Sequence, residues 1–353
     1  MKILFDLNHP SHVHAFKNVI GILDEKGHTC LVTARRKDCT HALLKAYSIP
    51  FTSTGCSGKS LLYKVFQLSK SLLYLIRFII KEKPDLIVSF ESPYAVLAGR
   101  LCRKKTITFA DTEPANTIHR ITGPLSSALA VPSCFQKKIF PAQVSFNGYK
   151  ELAYLHPARF LPDLKLVETN GLDSSQPYGI IRFVAFNALH DRDITGFTDS
   201  EKLELIERLS EKVRVYISSE SPLPEKLLPY RLIIPPEHMH HVLAFTSLYI
   251  GESTTMSAEA AVLGIPSICV NHMNLGYLND LSKNYGLIYK YDLSSKGRRA
   301  AIEKALEIVG NPDIKKEFLS KRETMLRDKI DVTDYMVWFI ENYPDSMHEV
   351  YNN

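Results

Sequence analysis

Short runs of β-type apolar residues alternate with stretches of helical periodicity along nearly the whole of this 353-residue chain. Ile3–Leu7 reads as a strand. From His12 to Lys26, Val13, Phe16, Val19, Ile20 and Leu23 recur at helical spacing, and Gly27 closes the helix. Cys30–Thr33 reads as a second strand and Leu61–Lys81 as a long helix. Asp85–Phe90 and Thr106–Ala110 read as buried strands. This alternation predicts βαβ units, parallel sheets and helices on both faces.

The rhythm lapses between Tyr154 and Tyr178, a stretch with Pro157, Pro162, Gly171 and Pro177, and the interdomain linker is expected there. It resumes with strands at Gly179–Phe186, Val213–Ile217, Leu232–Ile234, Ser247–Ile250 and Pro266–Val270. Helices are predicted at Asp199–Glu211 and Thr254–Leu263, and again from Ser294 to Tyr343. Two domains follow, 1–165 and 176–353, each a doubly wound α/β half. Ligands of such sheets sit beyond the carboxyl ends of the strands, so a ligand cleft between the halves is expected.

The net charge of +5 conceals an asymmetry. Residues 1–165 carry 23 Lys and Arg against 11 Asp and Glu, a balance of +12, and the remainder carries 20 against 27, a balance of −7. A basic domain suggests an acidic partner: anionic lipid, a phosphate-bearing acceptor or an acidic polysaccharide. Nucleic acid is not expected, because no recognised nucleic-acid module is present. Asp6, Asn8 and His9 interrupt the first apolar run, which therefore reads as a strand and not a signal peptide. Lys64, Lys70 and Arg77 break the most lipid-like segment, Leu61 to Ile80. The six cysteines lack close-paired spacing and read as reduced core thiols of a cytoplasmic protein.

Five clusters could carry chemistry. Gly251 to Pro266 runs from a buried strand through the hydroxyl-rich turn Ser253-Thr254-Thr255 into an alanine-rich helix closed by Gly264. A helix N-terminus suits a diphosphate, and Glu259, on the same face as Thr255, could hold ribose hydroxyls. Simple capping accounts for the same residues. After the first strand, Asn8-His9-Pro10-Ser11-His12-Val13-His14 offers His12 or His14 as a base. Glu91 and Asp111-Thr112-Glu113 place carboxylates at two strand ends. Arg182 and Arg192, with His190 between them, could grip phosphate. His238, His240 and His241 lack matching ligand spacing, so no metal is expected. The chain has no G-x-G-x-x-G, no phosphate-binding P-loop, no H-E-x-x-H and no G-x-S-x-G, so no nicotinamide cofactor is expected either.

Asp111-Thr112-Glu113, the segment Asn147 to Pro157 and Thr255 to Gly264 together resemble the domain-of-unknown-function family three-five-four, over nearly the whole chain. That family is grouped with GT-B glycosyltransferases and non-hydrolysing UDP-N-acetylglucosamine 2-epimerases. The resemblance implies a GT-B-like fold: two Rossmann-like domains with parallel sheets facing a central cleft, and last helices that pack back on the N-terminal domain. It implies Ser253, Thr254 and Thr255 for the diphosphate and Glu259 for ribose. Threonines replace the relatives' glycines at the phosphate turn. His190 to Asp193 resembles the epimerases' H-R-R-E loop. His12 resembles in position a loop histidine of lipid-linked N-acetylglucosaminyltransferases. Glu91 and Glu113 fall where epimerases keep catalytic carboxylates, and a third would fall near Asn116, which is neither acid nor base.

The implied enzyme is a glycosyltransferase using a nucleotide-diphosphate sugar in cell-surface polysaccharide or glycoconjugate synthesis. Its catalytic candidates are His12, Glu91, Asp111, Glu113 and His190. Its nucleotide-sugar candidates are Arg182, Arg192, Ser253, Thr254, Thr255 and Glu259. The partners would be the donor and a lipid-linked or acidic acceptor, with peripheral contact to the inner face of the membrane through the basic domain. An epimerase-like isomerase and a non-catalytic nucleotide-sugar or polyanion-binding protein remain open as alternatives.

Overall fold

The computed structural model describes residues 1–56, 61–140, 143–185 and 195–349, with residues 56 and 61–68 described by backbone alone. The chain divides into two compact units, 1–159 with 329–353, and 160–328.

The first unit holds a seven-stranded sheet: β1 (Lys2–Leu7), β2 (Thr29–Arg36), β3 (Thr52–Cys56), β4 (Leu86–Phe90), β5 (Lys105–Phe109), β6 (Ala128–Pro132) and β7 (Gln143–Phe146). Their order is β3-β2-β1-β4-β5-β6-β7, and every pairing is parallel. β4 reads Leu86-Ile87-Val88-Ser89-Phe90 and is buried throughout, as a strand covered on both faces must be. The helix Pro10–Glu25 buries Val13, Phe16, Val19, Ile20 and Leu23. Phe16 meets Phe5, Phe90 and Phe109 with ring centroids 5.1 to 5.9 Å apart. The helix Val332–Glu341 brings Phe339 to within 6.3 Å of Phe109. It is tied down where Ile330 N donates to the Asn147 carbonyl (3.0 Å) and Thr333 Oγ1 to the Ala153 carbonyl (2.6 Å).

The second unit holds β8 (Tyr178–Phe183), β9 (Arg214–Ser219), β10 (Leu248–Gly251), β11 (Ser267–Val270) and β12 (Ile288–Tyr291). Their order is β12-β11-β10-β8-β9, again all parallel. The core includes Ile181, Ile217, Ile250 and Ile268 from the strands, with Leu205 and Ala305 from covering helices. The strand expected at Leu232–Ile234 is absent. Only an isolated bridge joins Arg231 to Ile217, and Ile233 is 78% exposed, so its apolar run has no face to bury.

Each sheet reverses direction of growth once, between β1 and β4 in the first unit and between β8 and β10 in the second. Such switch points are where loops part and ligands bind in open α/β sheets. No helix among the described residues is long and apolar enough to cross a membrane.

At the second switch point Gly251 leaves no room for a side chain. A Cβ there would stand 2.7 Å from the Arg182 carbonyl oxygen and 2.8 Å from the Tyr249 hydroxyl. Gly21, on an exposed turn of the helix Pro10–Glu25, has nothing within 4 Å. Urea unfolding should therefore show Gly251→Ala losing ~2 kcal/mol and Gly21→Ala gaining roughly 0.5 kcal/mol. Equal effects at the two positions would contradict this packing.

Candidate functional site

The loops after β1, β4 and β5 carry the polar groups of the first switch point. Asp6, near the end of β1, is 2% exposed and accepts from Asn8 Nδ2 (2.6 Å), Ser92 Oγ (2.6 Å) and Thr33 Oγ1 (2.9 Å). Ser92 also caps the helix Pro93–Leu101 through Ala95 N. One buried carboxylate thus ties β2 to the turns that follow β1 and β4.

His9 caps the helix Pro10–Glu25, its ring nitrogen accepting from Ser11 N. Burial, with help from the charge on Lys37, holds His9 well below the ordinary imidazole range. His12 lies one turn later, its ring centroid 5.4 Å from that of Phe90. Burial, then the charges of Lys150 and Lys37, push it down to about 3, and its Nδ1 is buried without a hydrogen bond. His12 is therefore neutral at physiological pH and a weak base.

Glu91 follows β4 with φ of 43°, a left-handed conformation uncommon outside glycine that marks functional or strained positions. Its Oε1 accepts from Thr112 N at 3.3 Å and lies 3.2 Å from His119 Nε2. Burial pushes its carboxyl up, the His119 bond pulls it back, and the nearby charge of Asp111 pushes it up further. Asp111, after β5, accepts from Lys150 Nζ at 2.5 Å. Lys150 also stands 3.6 Å from Glu151 Oε1, and all three residues are buried. Glu113 accepts from Gln136 N (3.3 Å), while its carbonyl takes Lys137 Nζ (2.7 Å), so it also fastens the loop after β6. The structure thus gathers His12, Glu91 and Asp111 around Lys150 and His119.

At the second switch point the helix Thr254–Val262 starts directly beyond β10. Ser253 caps it, its Oγ accepting from Met256 N at 3.3 Å. Thr254 and Thr255 fill its first turn, half-buried, with backbone N–H groups that have no acceptor within the helix. Arg182, on β8, donates Nη1 to Ser218 Oγ (2.6 Å) and Nη2 to Glu220 Oε1 (2.7 Å). Its guanidinium is thereby turned toward β9. Glu259 is 4% exposed and lies 3.0 Å from His240 Nε2. To bind ribose it would share or exchange that partner.

His190 and Arg192 lie outside the described residues. The carboxylate of Glu252 accepts from Val184 N (2.9 Å) and Phe197 N (2.6 Å). A cavity of about 290 Å³ opens here, lined in part by Ala185, Phe197, Lys202, Ser219 and Glu252. A larger hollow of about 580 Å³, beside Lys212, Arg214 and Tyr230, lies at the opposite, N-terminal edge of β8 and β9. The three clustered histidines diverge: His238 meets Asn170, His240 meets Glu259 and His241 accepts from Asp163 N.

The reading of residue types passed over Asp6, Lys150, Glu151, His119 and Glu252. Lys150 and Glu151 left a signal, since two charges stand inside the otherwise apolar run Tyr149 to Leu155. Asp6 and Glu252 are carboxylates at strand ends, the same signal that picked out Glu91.

Residues 1–161 match the family described as "Protein of unknown function (DUF354)", so the family resemblance is borne out over that stretch. An uncharacterized protein of Methanocaldococcus jannaschii is 22% identical over 307 residues, 83% of this chain and 89% of that protein. Among solved structures, the S. aureus MnaA–UDP co-structure superposes with a TM-score of 0.72 at 12% identity, covering 100% of this chain and 99% of that one. The UDP-GlcNAc 2-epimerase from Neisseria meningitidis bound to UDP-GlcNAc gives 0.70 at 11%, covering 97% and 100%. The spinosyn forosaminyltransferase SpnP gives 0.63 at 15%, covering 99% and 100%. At these identities the fold is what is shared: two parallel-sheet α/β domains of the GT-B kind.

The depressed histidines give the site an acid limit. The stability contributed by a neutral His12 is fully present above its ordinary value of 6.5 and is lost as pH falls toward about 3. Between pH ~7 and pH ~4.5, His12→Gln should lose roughly 2 kcal/mol less unfolding free energy than wild type. Equal losses would mean that His12 is solvated.

Proposed function

We propose that this protein is an enzyme acting on a nucleotide-diphosphate sugar, and that it transfers the sugar to an acceptor in cell-surface polysaccharide or glycoconjugate synthesis. The observation that carries this reading is the placement of polar groups at both switch points. A hydroxyl-rich helix N-terminus stands at one and a buried set of proton-transfer groups at the other. The solved structures holding UDP or UDP-GlcNAc share the fold and support the choice of ligand class.

In this reading the N–H groups and hydroxyls of Ser253, Thr254 and Thr255 take up the charge that develops on the departing diphosphate. Glu259 holds the ribose. Arg182, Arg192 and His190 serve the nucleotide-sugar from the β8 side. The acceptor hydroxyl gives its proton to Glu91 as its oxygen bonds to the anomeric carbon and the bond to diphosphate breaks. Asp111, paired with Lys150, and neutral His12 orient the acceptor. Glu113 fixes the loop beside them. The basic unit would take a lipid-linked or acidic acceptor, with peripheral membrane contact. Neither a metal nor a nicotinamide is part of the scheme.

A second reading, an epimerase-like isomerase, is favoured by the proximity of Glu91 and Asp111, two carboxylates in unlike surroundings. A raised carboxyl beside an ion-paired carboxylate is the pattern of an acid and a base at one site. The lack of an ionisable group at Asn116 counts against it.

The two readings separate on incubation of the purified protein with UDP-, GDP-, ADP- and CMP-sugars, with and without lipid-linked saccharide acceptors that carry free hydroxyls. Transfer predicts acceptor-dependent release of nucleotide; isomerisation predicts an altered sugar-nucleotide without acceptor. Glu91→Gln should lower turnover by about 10²- to 10⁴-fold with binding retained. Wild-type activity should rise with pH through the raised Glu91 value. Binding without either product would leave a non-catalytic protein.

A further inference from the structure

The helix Leu61–Glu82 packs Leu75 and Ile79 against Ala95 and Ala98 of the helix Pro93–Leu101. Its other side turns to solvent. There Leu73 and Ile80, seven residues apart, form an apolar row that is 53% and 61% exposed. Lys70, Arg77 and Lys81 form a parallel row beside it, at positions that share a helix face. The two helices lead into adjacent parallel strands, β4 and β5, so their C-terminal ends lie on the same edge of the sheet. That edge adds Leu101, 65% exposed, together with the exposed Lys83, Arg100 and Arg103.

Acidic groups do not balance this surface. Glu82 pairs with Lys2 Nζ at 3.0 Å and more loosely with Lys81 Nζ at 3.8 Å, and Asp85 accepts from Lys2 N at 2.7 Å. What remains is an exposed apolar row flanked by cations, of which Lys70, Arg77, Lys83, Arg100 and Arg103 have no acidic partner among the described residues, on a unit whose overall balance is strongly positive.

We infer that this face docks the protein on a bilayer bearing anionic headgroups. The cations meet the headgroups, and Leu73, Ile80 and Leu101 enter the boundary between headgroups and acyl chains. An acidic polysaccharide or a nucleic acid would pair with the cations and leave the three apolar side chains in water. A second copy offering the same face would bring like charges together. The inference rests on the proposed function only for its purpose, a lipid-linked acceptor; its edge lies at the start of β4 and β5, opposite the ends that carry Glu91 and Asp111. Its evidence is the face itself.

Flotation of the full-length protein with phosphatidylcholine vesicles, alone or with about a third phosphatidylglycerol, tests it without turnover. Wild type should float with the anionic vesicles and not with the neutral ones. The triple variant Lys70→Glu/Arg77→Glu/Lys81→Glu should bind at least about tenfold more weakly. The variant Leu73→Ser/Ile80→Ser/Leu101→Ser should also weaken by about tenfold, through lost apolar insertion. All six positions are exposed, so unchanged far-ultraviolet dichroism is expected. Indifference of wild type to phosphatidylglycerol overturns the inference. So does full binding by the serine variant, which marks a simple polyanion site. A protein that turns over nucleotide-sugar but floats with neither vesicle loses this inference alone.

Discussion

Lys150 is an ammonium ion with almost no water around it. Removing a charge from water costs several kcal/mol even in a relaxed protein interior, and only close opposite charge offsets that. Asp111 at 2.5 Å and Glu151 at 3.6 Å supply it. Burial is the largest influence on the surrounding groups, and this arrangement adds to it. The cation helps to keep His9 and His12 neutral. It pins the carboxylate of Asp111, and the charge on Asp111 helps to push Glu91 upward. Well-packed apolar residues could fill the same space at no loss of stability. A buried charge cluster at the end of β1, β4 and β5 is therefore no requirement of folding, which is why the proposed function uses it.

The two units make different use of the same topology. Asp6 in the first and Glu252 in the second are both buried carboxylates that gather donors at a switch point. Asp6 joins side chains from β2 and from the turns after β1 and β4. Glu252 instead accepts backbone N–H groups from Val184 and Phe197, beside the end of β8. Burial raises Glu252, and those two backbone bonds oppose the rise. The first unit thus gathers side chains around its buried carboxylate, and the second gathers backbone N–H groups.

The alternating architecture was legible because each helix carries its period plainly, as Val13, Phe16, Val19, Ile20 and Leu23 do. Strands covered on both faces also announce themselves, as Leu86 to Phe90 does. Short strands were harder to see. Ala128–Pro132 and Ile288–Tyr291 are too brief to show a period, and Leu232 to Ile234 has strand-like composition but no neighbour to pair with along its length. Among the candidate residues, the placement of Glu91, Asp111 and Ser253 just beyond strands was legible because strand ends are local features. The partner Lys150 was not, because it comes from 39 residues beyond Asp111 and only the fold brings the two together. The same holds for Glu259 and His240, whose pairing buries a carboxylate that helix periodicity alone would leave near solvent.

The account stands or falls on whether the second switch point binds a nucleotide diphosphate. Calorimetric titration of UDP, GDP, ADP and CMP into wild type and Thr254→Ala/Thr255→Ala measures this directly, and thermal unfolding gives an independent check. The account predicts that one nucleoside diphosphate binds and stabilises wild type by ~2.7 kcal/mol at a hundred times its Kd, with affinity largely lost in the variant. Absence of binding by every nucleotide, or equal binding by the variant, would contradict it.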